Sequence, residues 1–262
     1  MIELDRNQPE GRLTFAQYLQ NVISEARIVA AQKRLKIYAS DLEAVESDYE
    51  VQRRFIIALW GIESDFGRFT GGFSVIDSLA TLAYDGRRSV FFRTELIEAL
   101  RIISMGEIEY SNMKGSWAGA MGQCQFMPSS FHRFAEDYDK DGRRDIWHSL
   151  PDVFASISNY LNQSGWKFDQ TWGRQVILPN DFDLTLVGLE RLYPIGHWQA
   201  LGVRRVDGSD LPKRQLLASI ILPDGADNQA YMVYDNFRTI MKWNRSTYFA
   251  LAVGRLSDQL IR

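Results

Sequence analysis

A carboxyl group on an apolar surface is the simplest side chain for moving protons, and Glu63 in FIIALWGIESDFGRF (residues 55–69) has that setting. If the run is helical, each residue turns roughly 100° about the axis. Glu63 then shares a stripe with Ile56, Leu59 and Trp60, while Asp65 points to the opposite side. One carboxylate is aimed at the apolar face and its neighbour away from it. The plain alternative is a solvated glutamate at a helix end, the usual state of a charged residue.

A second group of carboxylates suits a cation. In DYDKDGRRDIWH (137–148), Asp137, Asp139 and Asp141 alternate, Gly142 falls sixth and Asp145 ninth. That is the first three-quarters of an EF-hand loop, in which alternate carboxylates turn inward on one hard ion and the glycine makes the sharp turn. Its twelfth position holds His148 in place of the bidentate Glu, and Asp152 can close a longer loop. The spacing predicts a structural Ca²⁺ that ties the loop to the next helix; the alternative is a solvated acidic turn.

The glycine-rich segment KGSWAGAMGQCQFMPSS fits neither nucleotide loop, because Gly115, Gly119 and Gly122 have the wrong spacing and no Lys follows them. Its glycines and alanines suit close backbone packing on backbone or ligand. A net charge of −3 argues against a nucleic-acid partner. One cysteine, Cys124, forms no internal disulfide, and three scattered histidines make a zinc site unfavourable. No apolar run reaches the roughly 18 residues of a transmembrane segment, and the start MIELDRNQPEGR lacks the pattern of an export signal.

The elements that must position these groups follow from periodicity. Residues 14–40 read as one or two amphipathic helices, and a polar patch, SDLEAVESDYE, leads into the Glu63 helix. Helical spacing returns at 75–83, at 91–105 with Leu96, Leu100 and Ile103 on one face, and at 152–162. Pro128 suits the first turn of another helix. GRQVILP, FDLTLVG, LGVRRV and YMVYDNF then read as short strands, and 236–260 as a final helix. The fold class is mainly α (α+β): a helical protein with a small strand-rich insertion.

Four segments together carry a family resemblance: ALWGIESDFG, GSWAGAMGQCQFMPSSF, the aspartate loop ending in DIW, and IMKWNRSTYFALAV. They resemble the lytic murein transglycosylase B family over nearly the whole chain. The resemblance implies a lysozyme-like helical core with extra helices and a small β subdomain, within a single catalytic unit 1–262. The core would span 50–170, the strand-rich insertion 171–235, and flanking helices 1–49 and 236–262. The implied activity cleaves the β-1,4 bond between N-acetylmuramic acid and N-acetylglucosamine in peptidoglycan, leaving a 1,6-anhydro sugar.

In that reading Glu63 is the sole catalytic acid and base. A carboxyl held against Trp60 would have its charged form disfavoured, so its pKa should rise. It could then protonate the glycosidic oxygen and afterwards take the proton of the muramyl C6 hydroxyl. The family is thought to steady the intermediate with the substrate's own 2-acetamido group, and Asp65 is a poor second carboxylate. The resemblance also implies substrate-binding roles for Ser116, Gln125, Tyr160, Asn244 and Tyr248. Trp243 stands where many relatives have tyrosine. Asp137, Asp139, Asp141, the Arg143 carbonyl and Asp152 match the family's metal site, and no organic cofactor is implied.

Two other readings stay open. A lysozyme-type hydrolase would pass the sugar to water, and a non-catalytic calcium-dependent wall-binding protein would use the glycan without cleaving it. The expected partners are peptidoglycan strands and, beyond them, cell-wall enzyme complexes, with a monomer acting in the periplasm or bacterial cell envelope.

Overall fold

The computed structural model describes residues 1–6, 13–225 and 229–261. The chain forms two compact units, and neither is one continuous stretch: Met1–Leu13, Glu25–Gln163 and Ser257–Arg262 make the first, Thr14–Ser24 and Ser164–Leu256 the second. The second unit begins earlier and ends later than the expected 171–235 insertion.

The first unit is helical. It contains α1 (Ile2–Arg6), α3 (Glu25–Ile37), α4 (Ala39–Tyr49), α5 (Arg53–Ser64), α6 (Val75–Asp85), α7 (Ser89–Ser104), α8 (Pro128–Phe134) and α9 (Leu150–Gln163), numbered in chain order. A two-residue ribbon, β1 (Phe73–Ser74) with β2 (Lys114–Gly115), is its only sheet among the described residues. Helix α5 lies at the centre: Phe55 to Gly61 are all buried, so its core-facing stripe extends right around the axis. Helices α3, α4 and α9 surround that region, and Trp60 meets Phe154 of α9 edge-on at 5.2 Å.

Helix starts follow local chemistry. Ser74 caps α6 by accepting from the Asp77 N–H. Pro128 takes the first position of α8, as the sequence predicts. The N-terminal donors of α8 are met from another helix: the buried Glu95 carboxylate of α7 accepts Ser129 N at 2.9 Å and Ser129 Oγ at 2.7 Å. The predicted face of α7 therefore needs correction. Its buried residues are Phe92, Glu95, Ala99 and Ile102, while Leu100 is exposed and Leu96 and Ile103 are half-buried.

Among the described residues, the second unit holds α2 (Phe15–Val22), five strands and three further α-helices. Strands β3 (Gly173–Ile177), β4 (Tyr193–Pro194), β5 (Arg204–Arg205), β6 (Leu217–Ile221) and β7 (Ala230–Val233) form one antiparallel sheet in the order β4-β6-β7-β3-β5. Its helices are α10 (Ile195–Ala200), α11 (Asp235–Trp243) and α12 (Thr247–Asp258), the last belonging here as far as Leu256. Val176, Ile195, Trp198, Ala218, Ile220 and Met232 form a core on the sheet. The Trp198 indole inside it donates to Ala218 O at 3.0 Å.

Residues 14–40 form two helices, α2 and α3, within the expected one or two, and these fall in different units. Three expectations change. The polar patch at 40–50 is helix α4, whose Leu42 and Val45 are buried. FDLTLVG is not a strand: Asp183 accepts from Thr185 N at 2.9 Å and starts a 3-10 turn at Leu184–Leu186. The final helix divides at Asn244, which is extended at φ −140°. No helix among the described residues is long and apolar enough to cross a membrane.

Candidate active site

Helix α5 ends one residue after Glu63, and the way it ends sets the site. Asp65, Phe66 and Gly67 all lie in the left-handed region, at φ 48°, 62° and 83°. Each non-glycine residue there costs about 1–2 kcal/mol, and such strain gathers where the fold must hold a group in a fixed place. Here the turn is tied down: Gly67 N donates to Ser64 Oγ at 3.0 Å and Phe69 N to Ser64 O at 2.9 Å. The Phe66 ring stands edge-on to Trp60 at 5.4 Å with the Arg34 guanidinium 4.2 Å from its centre.

Glu63 is half-buried on the last turn. Asp65 is the helix cap, not a member of the opposite helical face. Its carboxylate is engaged by Arg27 Nε at 3.3 Å and Arg68 at 3.0 Å, which leaves it poorly suited to act as a nucleophile.

The glycine-rich segment lies against this turn. Cys124 is fully buried, and its thiol is pushed well up by burial and then by the Glu63 charge, so Glu63 and Cys124 are electrostatic neighbours. A side chain on Gly71 would collide with the Gly115 carbonyl and come within 2.6 Å of Ser116 N. Gln125, at φ 50°, donates from Nε2 to Thr70 O at 3.0 Å and Gly122 O at 2.9 Å. Ser116 and Gln125 are thus brought beside the segment that follows Glu63. Ser116 Oγ also accepts Ala118 N at 3.3 Å and Ala120 N at 3.0 Å, closing its own loop. Tyr160 of α9 packs on Phe126, next to Gln125, at 5.8 Å and on Phe134 at 4.4 Å, and burial pushes its phenol up.

Asn244 and Tyr248 belong to the second unit. Asn244 Oδ1 accepts from Ser246 N at 3.0 Å. Tyr248 donates its hydroxyl to Asp224 at 3.0 Å and lies near the rings of Phe15 at 5.2 Å and Tyr18 at 5.7 Å. Burial, and then the Asp224 carboxylate, push its phenol up.

In the aspartate loop, Asp137, Asp139 and Asp152 offer carboxylate oxygens that all lie within 4.8 Å of one another. Asp152 is fully buried; it accepts Tyr138 N at 2.8 Å, Asp139 N at 3.3 Å and Asp145 N at 2.8 Å. Burial raises its pKa against the pull of those amides. Asp137 Oδ1 is buried with no hydrogen-bond partner among the described residues, a costly state that a cation would relieve. Gly142 makes the sharp turn at φ 95°. Asp141 and Arg143 stand outside the group of three: both are exposed, and the Asp141 carboxylate accepts Arg143 N at 2.9 Å. Asp145 accepts Trp147 N and His148 N, each at 2.9 Å.

Sequence reasoning missed Gln123. Its side chain is 8% exposed, accepts the Trp60 indole N–H at 2.7 Å and donates to Trp147 O at 2.8 Å. The available signal was an amide in an otherwise small and apolar segment, where an unpaired one would be costly.

Comparisons with known proteins extend over nearly the whole chain. The family model described as "Transglycosylase SLT domain" matches residues 1–258. Membrane-bound lytic murein transglycosylase B of Escherichia coli is 33% identical over 234 residues, covering 84% of this chain. The chain spans 60% of that relative's length. The crystal structure of SltB3 from Pseudomonas aeruginosa in complex with NAG-anhNAM-pentapeptide superposes with a TM-score of 0.96 at 44% identity, covering 99% of this chain and 70% of SltB3. The Escherichia coli lytic transglycosylase Slt35 in complex with calcium gives 0.85 at 28% identity, covering 99% and 82%. With nearly its whole length matched, this chain belongs to the transglycosylase SLT family, among the lytic murein transglycosylases of type B.

Proposed function

We propose that this protein is a peptidoglycan lytic transglycosylase, a lyase that cleaves the β-1,4 bond between N-acetylmuramic acid and N-acetylglucosamine without water. The observation that carries the reading is Glu63, half-buried at the end of α5, with Asp65 committed to Arg27 and Arg68. With Asp65 held by two arginines, Glu63 acting as a single acid–base group fits an intramolecular acceptor better than the paired carboxylates of ordinary glycosidases. The anhydro-sugar complex of SltB3 supports the same outcome.

Glu63 protonates the glycosidic oxygen as the bond to C1 breaks, and the 2-acetamido group of the muramyl residue steadies the positive charge. The Glu63 carboxylate then removes the proton from the C6 hydroxyl, which attacks C1 of the same sugar. Held in the right geometry, such an attack has an effective molarity that water cannot match. Ser116, Gln125 and Tyr160 are the glycan-binding residues of the first unit, and the family resemblance assigns the same role to Asn244 and Tyr248.

A calcium ion fits the aspartate loop, because three carboxylates converge and the buried Asp137 Oδ1 has no other partner among the described residues. Asp137, Asp139 and Asp152 would hold it, with Asp141 and the Arg143 carbonyl completing an oxygen shell. The ion would supply charge neutralisation and stability to the loop. The expected place of action is the bacterial cell envelope, where peptidoglycan lies.

Mass spectrometry of peptidoglycan digested with purified protein tests the proposal. Products ending in 1,6-anhydro sugars are expected, and E63Q should yield none. Reducing ends would make the protein a hydrolase. Glycan binding unaltered by E63Q and accompanied by no wild-type products would make it a binding protein.

A further inference from the structure

We infer that Gln123 is the positioning residue for Glu63: its buried amide clamps the last turn of α5 to the exit of the aspartate loop and fixes the acid from behind. The inference rests on the reading of Glu63 as the catalytic acid. Gln123 touches α5 on both sides of Glu63. One turn earlier, the Trp60 indole N–H meets Gln123 Oε1 at 2.7 Å. One residue later, Ser64 Oγ donates to Gln123 O at 2.9 Å. On its other side Gln123 reaches the loop twice, through N to Ile146 O at 2.8 Å and through Nε2 to Trp147 O at 2.8 Å.

Only one amide orientation satisfies both side-chain partners. Turned over, the amide would set an N–H₂ against the indole N–H and a carbonyl against the Trp147 carbonyl. The donors and acceptors therefore define one rotamer. Gly67 closes the remaining side, since a Cβ there would collide with Gln123 Oε1. A methionine could fill the same space, but nothing in its side chain would fix the height or rotation of the turn. A reacting group displaced by about 1 Å loses about a hundredfold in rate, so this clamp should appear in turnover more than in binding.

The test uses Q123M, which keeps bulk, and W60F, which keeps an aromatic ring but is smaller; each removes the hydrogen bond from one end, and both are assayed on soluble glycan strands well below their thermal transitions. Each should lower kcat about tenfold or more with KM within about twofold, because geometry is lost and binding is not. The double variant should lose less in kcat than the two single losses combined, because the Trp60–Gln123 bond is removed in both. In Q123M the NMR resonance of the Trp60 indole proton should move upfield as its acceptor disappears. An unchanged kcat in both variants, with a lowered melting temperature alone, would reduce Gln123 to a structural strut and overturn the inference. Reducing ends released by the wild-type protein would instead sink the transglycosylase reading and leave this kcat test of Gln123 standing.

Discussion

A Cβ on Gly67 would collide with the Gln123 side-chain amide, so position 67 has no room for a side chain while that amide holds its place. The backbone of Gly67 is also left-handed, at φ 83°, where only glycine is unstrained. G67A therefore meets two penalties together, and a loss of about 2–4 kcal/mol in stability is expected. Chemical denaturation measures it. A variant as stable as the wild type would mean that the turn after Glu63 relaxes freely.

The carboxylates at 63 and 65 are two residues apart and should behave as different kinds of group. E63Q removes the proposed acid and base and should lower turnover by at least about 10² to 10⁴. D65N keeps the side-chain shape, weakens two partly exposed ion pairs and should change turnover only a few-fold. Steady-state assays on peptidoglycan decide the matter, and equal losses in the two variants would restore Asp65 as a reacting group.

Calcium should raise the melting temperature, with little effect on the chemical step at moderate temperature. D137N should abolish that rise, because Asp137 Oδ1, buried with no hydrogen-bond partner among the described residues, is the strongest invitation to a cation in the loop. Calorimetry with and without chelator reads the effect. Chelation that stopped turnover in a folded protein would give the ion a direct part in activity.

Much of this site was legible before any coordinates. An apolar run closing on Glu63 foretold a helix with an apolar stripe and a carboxyl near its end. The aspartate spacing foretold a convergent loop, in which Asp137, Asp139 and Asp152 do converge but Asp141 does not. The α7 face was misjudged because the buried stripe includes Glu95, whose carboxylate serves the start of α8. Periodicity counts apolar residues and cannot anticipate that service. Gln123 escaped for a related reason: its importance lies in partners at Trp60 and Trp147, distant in sequence. The sheet order was equally hidden, since strands as short as Arg204–Arg205 are defined by pairing across long separations.

Acid should weaken a clasp at the amino end of the first unit. Asp5 is almost wholly buried and accepts Arg87 Nε at 2.6 Å, with Arg88 on its other oxygen. Hydrogen bonding to Arg87 outweighs burial and, with Arg88, holds its carboxyl below the usual value. A lowered folded pKa contributes stability above the unfolded pKa and loses it as pH falls through the folded one. D5N should therefore melt lower than the wild type at pH 7, with the gap closing below the ordinary carboxylate range. A gap independent of pH would show that charge is not what secures the helix.

The residues after Leu256 return to the first unit. Gln32 Nε2 reaches Gln259 O at 3.1 Å, and Arg54 meets Asp258 at 3.2 Å. During synthesis, the helices around α5 must wait for these late contacts until every strand of the sheet has been translated. A ribosome that stalls partway would hold a helical half without its closing residues, exposed to chaperones and proteases. Completion of that half therefore depends on residues that follow every strand of the sheet along the chain.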